Sequence, residues 1–147
     1  MTQLEPFTWD RIPAALAIEQ QLFALQPWSE AQFWSELAGV PASRYYVAAT
    51  DGAALVGYAG LYLNDAEAEI QTVAVAPAAQ RRGIGRLLVE DLLAEARRRG
   101  AHRVLLEARA ENAPAIALYE TFGFALIARR PNYYALGVDA VVMERHV

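Results

Sequence analysis

The stretch Val73-Ala74-Val75-Ala76-Pro77-Ala78-Ala79-Gln80-Arg81-Arg82-Gly83-Ile84-Gly85-Arg86 says most about how this chain folds. A β-branched run stops at Val75, a proline-containing loop follows, and two glycines open an amphipathic segment. From Gly83 to Arg99 the apolar residues Ile84, Leu87, Leu88, Leu92 and Ala96 recur at the i, i+3, i+4 spacing of a helix, and Gly100 stops it. The first N–H groups of such a helix lack intrahelical acceptors and lie at the positive end of its dipole. Glycines let an anion approach the backbone, and Arg81, Arg82 and Arg86 add positive charge, so this helix start suits a pyrophosphate.

Working outward, Glu69 to Val75 precedes the helix as a strand, and Arg103 to Ala108 follows it as another. Strand, helix and strand in this order form a right-handed crossover, which makes the two strands parallel. Upstream, Tyr45 to Ala49 and Leu55 to Leu63 are β-rich runs joined around Asp51-Gly52, a hairpin signal. Asn64-Asp65 separates the second run from Glu69 to Val75, completing a three-stranded antiparallel meander. Nearer the N-terminus, Asp10 is placed to cap a helix reaching about Ala24, and Ser29-x-x-Gln32 is a capping box opening a short second helix. Ala113 to Thr121 reads as a short helix, and Ala125 to Ala128 and Ala140 to Glu144 as the final strands. The expected fold is therefore α/β: a mixed, mostly antiparallel sheet with helices on both faces and one parallel βαβ crossover. No linker or fixed-period repeat interrupts residues 1–147, which read as a single domain.

Composition narrows the chemistry. The chain has no cysteine, and all 13 of its basic residues are arginine, so lysine is absent as well. Thiol nucleophiles, disulfides, Cys-based metal sites, a Walker lysine and Schiff-base chemistry are excluded. His102 and His146 lack zinc-motif spacing, and Ser29, Ser35 and Ser43 sit in no nucleophile elbow, so no metal and no serine hydrolase is expected. The 55% hydrophobic content argues for a packed core. A net charge of −4 argues against broad nucleic-acid binding. That charge is uneven: residues 1–69 hold 2 Arg and 9 acids, whereas residues 70–147 hold 11 Arg and 8 acids. The N-terminus lacks a basic, apolar leader, and the longest charge-free apolar run, Ala53 to Leu63, is 11 residues, so a cytoplasmic protein without membrane contact is expected.

Three readings of the glycine loop stand at this point. One is a glycine-softened helix start with solvated arginines. A dinucleotide-binding loop is the second, with Glu107 roughly 20 residues on, where a ribose ligand belongs. Against it, Leu88 replaces the third glycine and seven residues separate Val75 from Gly83. The third is a resemblance: Gln80-Arg81-Arg82-Gly83-Ile84-Gly85 resembles the Q/R-x-x-G-x-G/A signature of the GNAT superfamily of N-acetyltransferases, whose loop binds the pyrophosphate of acetyl-CoA. Pro27-Trp28-Ser29-Glu30, Leu106-Glu107-Ala108-Arg109-Ala110-Glu111-Asn112, Ala115-Ile116-Ala117-Leu118-Tyr119, Gly123-Phe124 and Arg130-Pro131-Asn132-Tyr133-Tyr134 resemble, more narrowly, the bacterial ribosomal-protein-alanine N-acetyltransferases. One departure is the run Ala135-Leu136-Gly137-Val138-Asp139 after Tyr134, where that family has proline and an acidic run.

The resemblance implies a GNAT-type fold, acetyl-CoA as co-substrate, and the N-terminal alanine of a small-subunit ribosomal protein as acceptor. It also implies Glu107 as general base, Tyr119 as the acid that returns a proton to the thiolate, and Asn112 as a coenzyme contact. Val73, Ala74 and Val75 are implied to offer backbone groups to the thioester arm, and Arg81, Arg82, Gly83, Ile84, Gly85 and Arg86 to hold the pyrophosphate. With no cysteine, direct attack in a ternary complex is favoured over an acyl-enzyme. Each role has a plainer counterpart. Glu107 ends the apolar run Val104-Leu105-Leu106, which suits a partly desolvated base, but Arg109 is near enough to pair with it. Tyr119 can simply pack beside Phe122 and Phe124, and Asn112 is also a good N-cap. Trp28, Tyr133 and Tyr134 are candidates for a peptide groove or for core, and Arg97-Arg98-Arg99 reads as a solvated charge run. Acetylation of a small amine or a lysine side chain is the nearest alternative function. A non-catalytic coenzyme A-binding module is the alternative from another class.

Overall fold

The computed structural model describes residues 1–147. Its strands are β1 (Thr2–Pro6), β2 (Arg44–Asp51), β3 (Ala54–Asn64), β4 (Glu67–Val75), β5 (Arg103–Arg109), β6 (Ala125–Ala135) and β7 (Val138–His146). Its helices are α1 (Ile12–Leu22), α2 (Glu30–Leu37), α3 (Ile84–Arg98) and α4 (Ala113–Thr121). The strands form one sheet in the order β1-β2-β3-β4-β5-β7-β6, and only β4 and β5 run parallel. This is the mixed, mostly antiparallel sheet expected from the sequence, and its single crossover excludes a doubly wound dinucleotide-binding sheet.

Two cores lie on opposite faces. One joins Val47, Ala59, Leu61, Ile70, Leu106 and Met143 of the sheet to the inner side of α3 and to Tyr119 of α4. The other joins Tyr46, Ala48, Tyr58 and Ala74 to Phe7, Ile12, Ala15 and Ile18 and to Phe33 of α2. The buried stripe of α3 is Ile84, Leu88, Val89, Leu92, Leu93 and Ala96. Leu87, expected in that stripe, is 39% exposed, because it lies beyond the edge of the face that meets the sheet. Each large side chain of the stripe stabilises the fold by roughly 1.5–3 kcal/mol relative to exposure.

Several local expectations are corrected. Asp10 caps no α-helix: Trp9–Arg11 form a 3-10 turn, and α1 begins at Ile12 without a side-chain cap. The Asp10 carboxylate instead accepts from the Thr8 hydroxyl. Helix α1 ends at Leu22, short of Ala24, where Phe23 leaves helical geometry. The Ser29–Gln32 capping box is formed as expected. β1 had little apolar pattern to reveal it and is held as an edge strand by pairing with β2. β6 continues past Ala128, its expected end, to Ala135, through Pro131. An edge strand tolerates proline, and side chains replace the missing ladder bonds there. Asp139 Oδ1 accepts Asn132 N–H at 3.0 Å, and Asn132 Oδ1 accepts Gly137 N–H at 2.6 Å. Nor are Arg98 and Arg99 free: both bond the buried Glu95, and Arg99 reaches the Pro41 carbonyl.

Candidate functional site

The site begins with a strand that changes partners. β4 and β5 pair only from Glu67 to Ile70 against Arg103 to Leu106. Beyond that point β4 stays with β3 as far as Val75, while β5 stays with β7 as far as Arg109. The two central strands therefore splay. The departure coincides with a bulge in β4: Gly60 faces Thr72 and Leu61 faces Ile70, leaving Gln71 as the extra residue. Ala76 N–H donates to the Val56 carbonyl at 2.8 Å. Because antiparallel partners alternate, the N–H and C=O groups of Val73 and Val75 point away from β3, into the gap left by β5. Gln80 Nε2 already meets the Val75 carbonyl on that side, at 3.3 Å.

A cleft of about 580 Å³ fills the gap. Ile70 to Val73 form one wall, Leu106 to Arg109 with Asn112, Ala115 and Tyr119 the other, and Phe23, Gln26 to Trp28 and Tyr134 close the far side. The structure thus brings Val73, Glu107, Asn112, Tyr119, Trp28 and Tyr134 to one cavity. Glu107 Oε2 is buried without a hydrogen-bond partner, while Oε1 lies 3.6 Å from Arg130 Nη1. Arg109 is not its partner: it stacks over Tyr134 at 4.8 Å and lies 3.9 Å from Glu111. Burial, and after it the charge of Glu107, push the Glu69 carboxyl above the usual carboxylate range. The Glu107 charge also raises the Tyr133 phenol, and burial followed by that charge raises Tyr134. Tyr133 itself is 49% exposed and packs edge-on against Tyr134.

Tyr119 packs against an aromatic neighbour, as the plainer reading expects, and also stands on the cleft wall. Its ring is buried and lies edge-to-face on Phe124. Burial pushes the phenol up to about 12, with the Tyr134 charge adding to the shift. The Asn112 side chain takes the N-cap, accepting Ala115 N–H at 3.3 Å at the head of α4.

The glycine loop lies between the end of β4 and α3, and none of Arg81 to Arg86 is among the residues lining the cleft. Gly83, the residue before α3, has φ +78, and open space surrounds its Cβ position. Arg81 also adopts a positive φ of 66. The loop N–H groups from Arg81 to Gly83 donate to no carbonyl, and those opening α3 have none within the helix. Gly85 is needed for packing, since a Cβ there would come within 3.3 Å of Leu118 on α4. The three arginines diverge. Arg82 pairs with Asp51 at 2.7 Å, and Arg86 reaches Thr121 at 3.0 Å while covering the Phe122 ring. Only Arg81 keeps a guanidinium with no partner in the chain.

Gln71 and Glu19 are among the cleft residues that the sequence did not single out. Gln71 is identified as a wall residue by the bulge, which no local pattern announced. Glu19 is 1% exposed and lines the cleft from α1. A signal existed for it, because Ile12, Ala15, Leu16 and Glu19 fall at i, i+3, i+4, i+7, placing an acid inside an apolar stripe.

A sheet parted between two parallel strands, with an anion-ready helix start at one end and a carboxylate and a phenol on its walls, defines a group-transfer enzyme that uses a phosphate-bearing donor. The chain belongs to the Acetyltransferase (GNAT) family, which matches residues 9–124. It is an N-acetyltransferase, and its acetyl donor is acetyl-CoA. It is similar to the [ribosomal protein bS18]-alanine N-acetyltransferase of Salmonella typhimurium, with 41% identity over 138 residues, covering 90% of this chain and 88% of that protein. The crystal structure of the ribosomal-protein-S18-alanine N-acetyltransferase from Escherichia coli superposes with a TM-score of 0.91 at 35% identity, covering 100% of this chain and 94% of that one. An uncharacterized protein of Mycobacterium leprae, ML0378, is 42% identical over 134 residues, and this chain spans 36% of its length. No helix is long and apolar enough to cross a membrane.

Proposed function

We propose that this chain acetylates the N-terminal α-amine of a protein that begins with alanine, a small-subunit ribosomal protein being the acceptor its relatives suggest. The observation that carries the reading is the buried, unpartnered Oε2 of Glu107 on the wall of the splayed cleft. Bound acetyl-CoA supplies an activated acetyl thioester. The residues present fit it: the free N–H groups around Gly83, Ile84 and Gly85, with Arg81, would hold the pyrophosphate. The outward N–H and C=O groups of Val73 and Val75 would hold the pantetheine arm, with Ala74 keeping the strand attached to β3. Arg82, Arg86 and Asn112 support this site through Asp51, Thr121 and the α4 cap respectively.

On the acceptor side, Glu107 takes a proton from the incoming amine, and a backbone N–H of β4 lies ready for the carbonyl oxygen. An α-amine titrates near pH ~8, against about 10.4 for a lysine side chain, so a single carboxylate suffices for the former. Trp28, Tyr133 and Tyr134 flank the route by which a peptide reaches Glu107. No metal takes part in this reading. Mass spectrometry on peptides differing in their first two residues, incubated with acetyl-CoA, tests it. Acetylation is expected on the α-amine of alanine-initiated peptides. Modification confined to internal lysines or free small amines would overturn the acceptor assignment.

Tyr119 is the group placed to return a proton to the departing thiolate. With its phenol pushed up to about 12, it stays protonated through the neutral range. The rate should therefore hold on the alkaline side until the pH nears that value, because only then does the acid ionise. Tyr119→Phe is expected to lower kcat by about 100-fold, in the usual range for a general acid, while acetyl-CoA affinity is retained. A variant with full kcat would remove Tyr119 from the mechanism.

A further inference from the structure

Glu19 is a buried carboxylate on the cleft wall for which the transfer has no chemical use. Its Oε1 accepts the backbone N–H of Trp28 at 2.8 Å, and its Oε2 accepts the Tyr58 hydroxyl. Tyr58 stands on β3 directly opposite Ala74 of β4, beside the strand edge that faces the gap. Trp28 lies in the link between α1 and α2, whose Gln26, Pro27 and Trp28 form the far wall of the cleft. The next N–H in that link, on Ser29, is already taken by Gln32 of the capping box. Glu19 is thus the acceptor that ties the link to the sheet from below. From across the cleft, Gln26 Nε2 bonds the Tyr134 carbonyl at 2.9 Å. A carboxylate is expensive to bury unless its oxygens are satisfied, and here both are. Its charge also lies close to the N-terminus of α2, where a negative group is favourable.

We infer that Glu19 is a positioning residue for the acceptor: by holding the Gln26–Trp28 wall at a fixed distance from β4, it shapes the acceptor half of the cleft without touching the acetyl-CoA half. The acetyl-CoA half is built from β4, α3 and α4 and shares no hydrogen bond with Glu19. The inference rests on the proposed transfer to a peptide α-amine.

Three variants separate this role from general stability. Glu19→Gln keeps an oxygen for Trp28 N–H and presents an N–H to the Tyr58 oxygen, so peptide KM and kcat should stay within about threefold of the parent. Glu19→Ala removes the tether and leaves Tyr58 unsatisfied. The double variant Glu19→Leu with Tyr58→Phe removes the tether while replacing the carboxylate and phenol with apolar groups of similar shape, which keeps the protein folded. Both tether-less variants are expected to lose about 10- to 100-fold in kcat/KM for an alanine-initiated peptide, chiefly through KM, as a misplaced binding wall does. Their Kd for acetyl-CoA, measured by calorimetry, should match the parent. An unchanged peptide KM in the double variant, or a parallel loss of acetyl-CoA affinity, would overturn the inference. If the parent protein acetylates a lysine or small amine instead, the proposed acceptor fails on its own. The same comparison made with that amine then still decides the role of Glu19.

Discussion

Glu107→Gln is expected to lower kcat for an alanine-initiated peptide by about 100- to 10,000-fold at neutral pH, with acetyl-CoA affinity unchanged. Two carboxylates line the cleft, and the structure distinguishes them. Both oxygens of Glu19 are occupied by Trp28 and Tyr58, whereas Oε2 of Glu107 is buried with no partner. Only the latter has an oxygen free to receive a proton. Glutamine preserves the shape but loses both the charge that faces Arg130 and the ability to act as a base. The loss should shrink as the pH rises past about 8, because the α-amine of the acceptor then deprotonates in solution and needs less help. Single-turnover rates across pH 6–10 make the test, and a variant as fast as the parent at pH 7 would falsify the assignment.

Gly60→Ala should be the most disruptive single methyl group in the sheet. Gly60 sits opposite Tyr46 in the β2–β3 ladder, and an added Cβ would lie 2.1 Å from Cζ and 2.6 Å from the hydroxyl of that tyrosine. The ring cannot swing aside cheaply. It is buried, packs edge-on against Phe7, and donates its hydroxyl to Glu36 Oε1 at 2.6 Å. Overpacking plus a displaced buried hydrogen bond costs about 3 kcal/mol or more, which for a chain of this size is a fall in Tm of about 6–12 °C. Gly52→Ala makes a useful contrast. Its φ of +59 strains an alanine, but nothing lies within 4 Å of the new carbon, so about 1 kcal/mol is expected. Equal melting temperatures for the two variants would mean that Tyr46 yields more easily than its contacts imply. Gly60 also faces Thr72, one residue from the bulge, so activity should fall ahead of unfolding.

The elements that were legible in the sequence are those whose signal is local. The α3 periodicity, the Asp51-Gly52 turn, the Ser29–Gln32 capping box and the Gly83 helix start each depend on residues within one or two turns of each other. The long β6 strand, β1 and the start of α1 were not legible, since pairing partners far along the chain override what their own residues prefer. Leu87 shows the limit of periodicity: Ile84, Leu88, Leu92 and Ala96 mark the inward face correctly, but the apolar spacing alone does not say where that face ends, and Leu87 lies beyond its edge.

The site divides the same way. The Asn112 cap and the anion-ready helix start were legible from residue type and spacing, whereas the base and acid roles proposed for Glu107 and Tyr119 came from the resemblance of their segments to the family. Sequence also determined that no thiol or lysine takes part, because neither is present. Only the tertiary structure decided that Glu107 pairs with Arg130 rather than Arg109, and that Arg82 and Arg86 reach Asp51 and Thr121. It alone revealed the parting of β4 from β5 at the Gln71 bulge and the tether from Glu19 to Trp28. The physical reason is that helix starts, caps and acid–base types are properties of neighbouring residues. Which charge meets which, and where a sheet opens, depend on segments brought together from across the chain.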